Sequence, residues 1–600
     1  MNILDLENST VLDNIGIIRE DYQEQLSKYF RKIRGDKALL IDPDLFGSLL
    51  MIVSNEFFRK NNIIVQQSLS SKPINYEEGP ILILVRTEIQ KMNLVSSFIK
   101  EQEKKNGKNK HKYHLFFVPH QEILCEKALE TLGVRQLVTL YEFDLDLFPL
   151  DQDLLTMSRN SSFASLSQGD PEILSDVAKS LKKLEYLFGQ FEEICWLGKN
   201  SKLVLQIYEN LQSKRNTHTS ENSQIKKVIL VDRTIDLITP LLTQQTYEGM
   251  VDEIYGIENS ILEIDPRIVG KQTQNQEDQK IRFALNSNDS FFQGIRDLNW
   301  ISAIKTFKLK SKSISQLYAS SNDDRTIKEL KQFIHDVQTS RDETISLKNH
   351  ISISEHAQKS IDKGTIMREI IQNELSMLVE SVVFFDFIKY IIYDEENMIK
   401  VLRFMCLHSL IHPGKAKQLS EIKKEFLFEY GFKYLPMLQH LEKIGLLTDN
   451  PNVNFSGLRN LLKLYNEDQA LTIGPHTVFS GYKPISISLV QQILDKKKNL
   501  KNFNKATKNY LKTEYGEYNV NKNNEETEKS EEEEKGNEEE KKEEIDTNKV
   551  CLVYFIGGVT YGEISALRML SQQSTFEYNF VIATTNIING DQMIKSCLNL

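Results

Sequence analysis

The chain has 600 residues, five cysteines and a formal net charge of −10. This length exceeds what one hydrophobic core usually holds, so we expect two to four domains. The negative charge is concentrated between Glu525 and Asp546, where thirteen acidic residues against four lysines leave −9. The near-neutral remainder argues against a nucleic-acid binder, because phosphate contacts require a basic surface.

The cysteines are scattered, none forms a CxxC pair, and most lie in apolar runs. We therefore expect free, buried thiols in a reducing compartment. No basic and apolar leader opens the chain, and the most apolar window, 377–393, is short and interrupted by charges. We expect neither a signal peptide nor a transmembrane helix, so any membrane association would be indirect.

Strands alternate with helices over the first 150 residues. The predicted strands are 38–42, 63–65, 80–85 and 113–118, and the predicted helices are 1–35, 46–58, one ending near 103, and 125–132. This alternation is typical of a parallel sheet covered by helices. We place an α/β domain at 1–150.

A connector of mixed apolar and acidic residues follows at 143–158. Its four aspartates suggest Ca²⁺, but the spacing of an EF-hand loop and its distal glutamate are absent. We predict a solvated loop here and helix from 170 to 213.

The apolar run Val228–Val231 predicts a buried strand, and Asp232, Arg233 and Asp236 follow it. Open α/β sheets often bind ligands at this edge. Since no catalytic partner is in view, we favour a structural role in which these charged side chains pair with one another and with helix termini at a domain junction.

A helix follows this strand. Thr239 before a proline predicts its first residues, and Gly256 predicts its end. Beyond it, 258–300 is predicted to be irregular and polar, and 301–475 almost entirely helical, with one amphipathic stripe at Ile327, Leu330, Phe333, Ile334 and Val337.

The α/β pattern returns near residue 484. The acidic, low-complexity segment 514–549 is predicted to be a disordered linker, followed by strands at 550–556 and 580–583. These strands need a sheet, and the nearest candidate contains Val228–Val231. We therefore predict a discontinuous α/β domain, 151–257 and 484–600, with a mostly helical domain, 258–483, inserted in it.

The glycines from Gly557 to Gly562 imitate a phosphate-binding loop, but Glu563 and Ile564 replace the required lysine and Ser/Thr. We favour a tight turn in which Glu563 complements the helix dipole. His408 and His412 share the spacing of HExxH without its glutamate, so a helix end with one core-facing histidine is expected. We predict no catalytic residue, cofactor or metal site.

Six segments carry a resemblance to a known family. They are LVDRTIDLITPLLTQQTYEGMVDEIYGI (230–257), 114–134, 403–414, 428–447, 478–494 and 553–570. Together they resemble the SM family, the Sec/Munc-type regulators of SNARE-driven membrane fusion. The resemblance implies an α/β plus all-α fold: an arch of two parallel-sheet α/β domains with a helical third domain inserted in the second.

The resemblance also implies a function without a covalent step. SM proteins cradle SNARE helices, both syntaxin-type and R-type, between the first and third domains and template their assembly. A helical hairpin at the tip of the third domain, here within about 300–375, contacts SNAREs in the family. Candidate contacts are therefore Lys328, Leu330, Lys331, Phe333 and Val337. The alternative is that the apolar members pack inside the hairpin.

The segments are most similar to the family branch that serves late endosome, lysosome or vacuole within HOPS and CORVET tethering complexes. The partner there is a helical-solenoid subunit, vacuolar protein sorting-associated protein 16. By the resemblance of 425–436, Lys423, Phe432 and Leu435 would touch it; the alternative for Phe432 and Leu435 is ordinary core. The competing hypotheses are an SM protein of the plasma membrane or Golgi, and a nucleotide-dependent enzyme or switch at the sheet edge near Asp232.

Overall fold

The computed structural model describes residues 15–107, 110–212, 223–270, 280–319, 327–362, 365–379, 384–394, 397–449, 454–470, 474–495, 502–519, 549–573 and 576–598. The chain divides into two compact units. The first comprises Met1–Ser158 and Lys179–Leu187, and the second comprises Arg159–Ala178 and Phe188–Leu600.

A fully parallel five-stranded sheet organises the first unit, in the order β2-β1-β3-β4-β5. Its strands are β1 (Lys37–Ile41), β2 (Ile63–Ser68), β3 (Gly79–Arg86), β4 (His111–Val118) and β5 (Val138–Glu142). The helices are Gly16–Lys32, Pro43–Ile52, Asn55–Lys60, Ile89–Asn106 and Ile123–Thr131, with a 3-10 turn at Arg135–Leu137. The predicted parallel sheet is confirmed, and its continuous apolar strands are buried because helices cover a parallel sheet.

The single helix predicted at 46–58 is wrong, because the chain makes two helices there. Val53 is extended, and the Ser54 hydroxyl accepts a hydrogen bond from the Phe57 amide at 3.3 Å. A serine in this position satisfies an amide that has no partner within the helix, so a new helix starts.

The solvated loop predicted at 143–158 is also wrong. This segment forms a small antiparallel hairpin of β6 (Phe148–Pro149) and β7 (Leu154–Thr156), and even its Asp146 and Asp151 are buried. The amide of Leu147 donates to the Tyr22 hydroxyl at 3.1 Å. Apolar residues alternate along the segment and are buried in the unit, which outweighs the cost of its aspartates.

The second unit contains eight strands. They are β8 (Glu193–Leu197), β9 (Ile225–Asp232), β10 (Ile257–Glu258), β11 (Ile261–Ile264), β12 (Ile281–Ala284), β13 (Tyr515–Asn519), β14 (Lys549–Ile556) and β15 (Tyr578–Thr584). Five of them lie side by side in the order β13-β8-β9-β14-β15, with β13 antiparallel and the others parallel. β10, β11 and β12 form a separate antiparallel sheet.

The prediction that strands after the acidic segment join the sheet of Val228–Val231 is confirmed. β14 pairs with β9, and Ile229 lies opposite Val553.

The predicted helix over 170–213 is wrong in its middle, where β8 intervenes. The prediction of disorder from residue 514 is wrong for Tyr515–Asn519, which pairs as β13 along β8; residues 520–548 lie outside the described residues. The domain boundaries stay a prediction.

The helix after β9 begins later than Thr239 and Pro240 suggested. Those two residues lie in a four-residue helix, and Thr246 caps the helix Tyr247–Tyr255 by accepting from the Gly249 amide at 3.1 Å. Gly256, at φ +79°, ends it as predicted. The irregular stretch predicted at 258–300 is wrong where β10–β12 and the helix Ser290–Ile295 form.

The insertion between β9 and β14 is helical, as predicted, and the α/β fold class with a helical insertion is confirmed. The longer helices of the second unit are Glu172–Phe188 (shared with the first), Lys199–Gln212, Trp300–Ala319, Ile327–Ile361, Ile366–Val379, Phe385–Tyr393, Met398–Ile411, Ala416–Tyr430, Leu435–Lys443, Phe455–Leu462, Ile485–Leu494, Tyr561–Ser571 and Gly590–Leu598. Shorter ones are Ser162–Gln168, Ile238–Leu241, 3-10 turns at Arg233–Ile235, Pro266–Val269, Phe432–Tyr434 and Glu467–Gln469, and a π turn at Ala506–Leu511. Among the described residues, no helix has the length and apolarity to cross a bilayer.

Candidate functional site

Two helices and a sharp turn build an exposed surface in the helical insertion. The helix Ala416–Tyr430 buries Leu419, Ile422 and Phe426. It ends at Gly431, whose φ of +108° favours glycine. A 3-10 turn and a proline in the first turn then start the helix Leu435–Lys443. The corner between these helices therefore points side chains outward.

Three large apolar side chains are exposed at this corner, and we call them the aromatic patch: Phe428, Phe432 and Leu435. Their exposed fractions are 72%, 62% and 42%. The rings of Phe428 and Phe432 meet edge to face, with centroids 5.7 Å apart. Aromatic and aliphatic side chains that share one exposed spot are typical of an interaction surface.

The two helices that flank the aromatic patch also carry paired charged and polar groups. The Lys423 ammonium is in an ion pair with the Glu442 carboxylate. The Tyr393 hydroxyl donates to Glu425 at 2.6 Å, which joins the helix Phe385–Tyr393 to the helix Ala416–Tyr430. Protein–protein interfaces combine apolar and polar side chains, and these helices carry both kinds.

The structure rules out the core alternative for two of the predicted partner-binding residues, and the partner contact itself stays a prediction. Phe432 and Leu435 are not core residues, and Lys423 lies nearby in an internal ion pair. The sequence analysis missed Phe428, although Phe428 and Phe432 are four residues apart and such a spacing places side chains on one side of a helix.

The predicted SNARE-contacting residues, Lys328, Leu330, Lys331, Phe333 and Val337, all lie on the helix Ile327–Ile361. Their side chains lie outside the described part of the structure. This helix pairs with Trp300–Ala319 in antiparallel fashion, because Trp300 donates to Gln358 at 2.9 Å and Lys310 lies 2.7 Å from Glu343. The two helices therefore form the predicted hairpin.

An aromatic cluster anchors the base of the hairpin. Tyr247 stacks on Trp300 with centroids 5.7 Å apart, and its hydroxyl is 2.8 Å from the His350 ring nitrogen. Phe307 and Phe292 pack against the same tyrosine. This cluster connects the helix Tyr247–Tyr255 to both helices of the hairpin, so the base of the hairpin is packed within the second unit.

The charged residues after β9 form a buried network. The Arg233 guanidinium, 1% exposed, donates to Glu563 at 2.8 and 3.0 Å and lies 3.7 Å from the Asp236 carboxylate. Burial alone would lower the pKa of Arg233, but these two carboxylates raise it above its ordinary value. The predicted structural pairing is confirmed, and Glu563 is the principal partner of Arg233. This buried ion-pair network joins the segment after β9 to the segment after β14.

The glycine-rich loop is buried and closely packed. Thr560 and Glu563 form a capping box, in which each side chain accepts from the other's amide at 3.1 Å. Every residue from 551 to 570 is buried. A Cβ on Gly558 would lie 2.7 Å from Ile588, so that glycine allows close packing instead of ligand approach.

Polar groups elsewhere have structural explanations. Glu193, Cys195 and Glu517 bring their oxygen and sulfur atoms within 4.8 Å of one another. Lys227 lies 3.0 Å from Glu193 and already supplies a cation there. His408 is buried against Phe385, and burial lowers its pKa to about 3, so the expected core-facing histidine is confirmed.

Comparisons with known proteins identify a family and similar proteins from other organisms. A family model described as the Sec1 family matches residues 37–596. The chain is 30% identical to the vacuolar protein-sorting-associated protein 33 homolog of Arabidopsis thaliana, over 98% of each chain. It is also 30% identical to vacuolar protein sorting-associated protein 33A of Rattus norvegicus, again over 98% of each.

Solved structures show the same fold. The SM protein Vps45, in complex with the Qa SNARE Tlg2, superposes with a TM-score of 0.60 at 15% identity, covering 97% of this chain and 98% of that one. The Unc18–syntaxin 1 complex from Monosiga brevicollis gives 0.59 at 14% identity, covering 97% and 99%.

Proposed function

The chain belongs to the Sec1 family, and we propose that it is an SM protein that assembles SNAREs for membrane fusion at the late endosome, lysosome or vacuole. The observation that carries this proposal is the end-to-end similarity to vacuolar protein sorting-associated protein 33 from a plant and a mammal. The structural relatives include an SM protein in complex with a Qa SNARE, which supports SNARE helices as the bound partners.

The mechanism is templating without a covalent step. A SNARE helix laid in a groove would be anchored by apolar side chains at helical spacing. Holding two such helices in register lowers the entropic cost of starting the four-helix bundle. The candidate contacts belong to the hairpin helix Ile327–Ile361, and aromatic packing at the base of the hairpin holds that helix in place.

The aromatic patch would bind the tethering partner, a helical-solenoid subunit similar to vacuolar protein sorting-associated protein 16, within HOPS- or CORVET-type complexes. Three exposed apolar side chains on a rigid corner offer the clustered anchors that dominate interface energies. This contact would place the protein peripherally on the endosomal, lysosomal or vacuolar membrane.

A binding measurement with the purified solenoid subunit tests the tethering interface. Leu435→Lys turns an apolar anchor into a buried charge in the complex, so we expect a loss of about 2 kcal/mol or more, equivalent to about 30-fold in affinity. The control is Tyr186→Lys, which places the same charge at an exposed aromatic residue outside the aromatic patch.

Wild-type binding with loss only in Leu435→Lys supports the tethering role. If the folded wild type fails to bind the folded partner, the branch assignment falls and an SM protein of the plasma membrane or Golgi replaces it. If both variants bind like wild type, the aromatic patch is not the interface.

The SNARE contacts are tested separately. Lys328→Glu with Lys331→Glu reverses two charges on the candidate surface, and Lys348→Glu with Lys359→Glu makes the same change at exposed positions nearer the base of that helix. We expect only the first pair to slow assembly of cognate SNAREs in a fluorescence assay. Equal slowing by both pairs would show that the effect is a general charge effect, and would refute the assignment of these residues.

A further inference from the structure

The first helix of the hairpin carries an unusual charge. Trp300–Ala319 contains four lysines and no acidic residue. The whole chain has a net charge of −10. Since −9 of that charge lies between Glu525 and Asp546, this helix is a local cationic surface on a chain that is otherwise near neutral. Neither the SNARE candidates nor the aromatic patch uses it.

Over residues 300–312, buried and exposed side chains lie on different sides of this helix. Trp300, Ala303 and Phe307 are buried against the aromatic base. The opposite side exposes five residues at helical spacing, which we call the lysine face: Ile301, Lys305, Lys308, Leu309 and Lys312. These positions recur at i, i+4, i+7, i+8 and i+11, so they form one stripe about 16 Å long.

The lysine face combines free charge with exposed apolar side chains. Lys310, beside the stripe, pairs with Glu343 at 2.7 Å. Across the described part of the chain, no carboxylate lies within ion-pair distance of the other three ammonium groups. Leu309 is 71% exposed and Ile301 is 53% exposed. Within the described residues, these three lysines therefore have no carboxylate partner, and they lie beside two exposed apolar side chains.

We propose that the lysine face binds anionic phospholipids at a membrane surface. Lysines flanking apolar residues on a helix parallel to the membrane plane suit this role, because ammonium groups meet headgroups while Leu309 reaches the acyl boundary. A flat, laterally mobile lipid surface can neutralise three lysines at once without a pocket. The alternative occupant, an acidic helical peptide, is an outcome of the test below.

The expected binding is weak and depends on salt. Each lysine near an anionic surface contributes about fivefold in affinity, equivalent to about 1 kcal/mol. Three lysines together contribute about 100-fold, which with Leu309 gives binding in about the millimolar lipid range. The contact therefore orients a protein that its tethering partner has already recruited, and goes beyond the proposed function.

Co-sedimentation of the full-length protein with vesicles tests the proposal. We expect binding to phosphatidylcholine vesicles with about 30% phosphatidylserine, none to pure phosphatidylcholine, and loss at about 1 M salt, where the Debye length is about 3 Å. Replacing Lys305, Lys308 and Lys312 together by Gln should lower affinity about 100-fold. The matched control replaces the exposed Lys415, Lys417 and Lys424 by Gln, with the same change in net charge, and should bind like wild type.

A fluorescent probe locates the contact. The five native cysteines are buried, so Leu309→Cys takes an environment-sensitive dye selectively. We expect its emission to shift to the blue with anionic vesicles, while a dye at Phe428→Cys, equally exposed in the aromatic patch, does not shift.

Three results with vesicles alone would overturn the proposal, and a fourth would identify a different occupant. The first three are no binding of wild type at low salt, equal loss in the lysine control, and equal shifts of both dyes. Vesicle binding that survives the triple substitution while an acidic SNARE helix no longer binds would identify the peptide as the occupant. Because SNARE and solenoid binding are measured on the same variants, failure of this proposal is distinguishable from failure of the proposed function.

Discussion

Replacing Glu563 by Gln should strongly destabilise the second unit. Glu563 is fully buried and accepts hydrogen bonds from Arg233, from the Thr560 amide and, at 2.5 Å, from the Ser486 hydroxyl. Glutamine keeps the volume but removes the negative charge, and its amide group presents a donor to groups that are themselves donors.

The magnitude follows from the partner that remains. Without the Glu563 charge, the nearest carboxylate to the buried Arg233 guanidinium is Asp236 at 3.7 Å. Breaking a buried ion pair from one side typically costs about 3–5 kcal/mol, because the other charge is left uncompensated. That is a large part of the roughly 5–15 kcal/mol that stabilises a native protein.

Urea unfolding followed by tryptophan fluorescence is the assay, since both tryptophans, Trp196 and Trp300, belong to the second unit. The control is Glu577→Gln, whose partially exposed pair with Lys549 at 3.5 Å should contribute less than about 1 kcal/mol. Adding Arg233→Met to Glu563→Gln should recover part of the loss, because the orphaned charge disappears. A loss for Glu563→Gln as small as that of the control would refute the structural role of this network.

Three further predictions concern pH, packing and thiols. Burial raises the pKa of Glu374 from 4.5 to about 7, so the folded chain retains a proton that the unfolded chain loses. The free energy of unfolding should therefore fall as pH rises from about 4.5 to 7, by at most about 3 kcal/mol. Glu374→Gln should flatten this slope in urea unfolding at a series of pH values, and an unchanged slope would contradict the prediction. Gly558→Ala should lower the free energy of unfolding by about 3 kcal/mol, since φ is +118° and the new Cβ would meet Ile588. The control Gly133→Ala, at φ +72° in open space, should lower it by only about 1–2 kcal/mol. Equal thermal midpoints for the two variants would refute the packing argument. All five cysteines are buried, and burial raises the pKa of Cys597 to about 12. A thiol reagent at neutral pH should therefore label the native chain slowly and the urea-unfolded chain fully. Fast labelling of the native chain would show that the thiols are accessible.

Strong local patterns were sufficient to predict much of the fold. Runs such as 80–85, 228–231 and 550–556 are apolar at every position, which only a strand buried on both faces requires. Their alternation with helices predicted parallel sheets, and the unmatched strands after the acidic segment predicted a sheet shared across the helical insertion, as the pairing of β14 with β9 confirms.

Short or mixed segments were mispredicted because their conformation depends on distant neighbours. β8 has five residues between two helices, and it forms because β9 and β13 pair on either side of it. β13 looked like the start of a disordered tract, yet its Gly516 lets the chain approach the Trp196 ring. The hairpin at 148–156 looked polar because of its aspartates, although burial of its apolar residues decides its conformation.

The sequence by itself predicted the two parallel sheets and the helical insertion, because apolar periodicity and turn residues act locally. The family was indicated separately, by the resemblance of six segments. The sequence did not determine which residues face solvent at the candidate sites. Phe426 and Phe428 are two residues apart on one helix, yet the first is buried and the second is exposed. Arg233 and Glu563 pair across 330 residues. Exposure and charge pairing depend on which elements pack against each side chain, and only the tertiary structure supplies those neighbours.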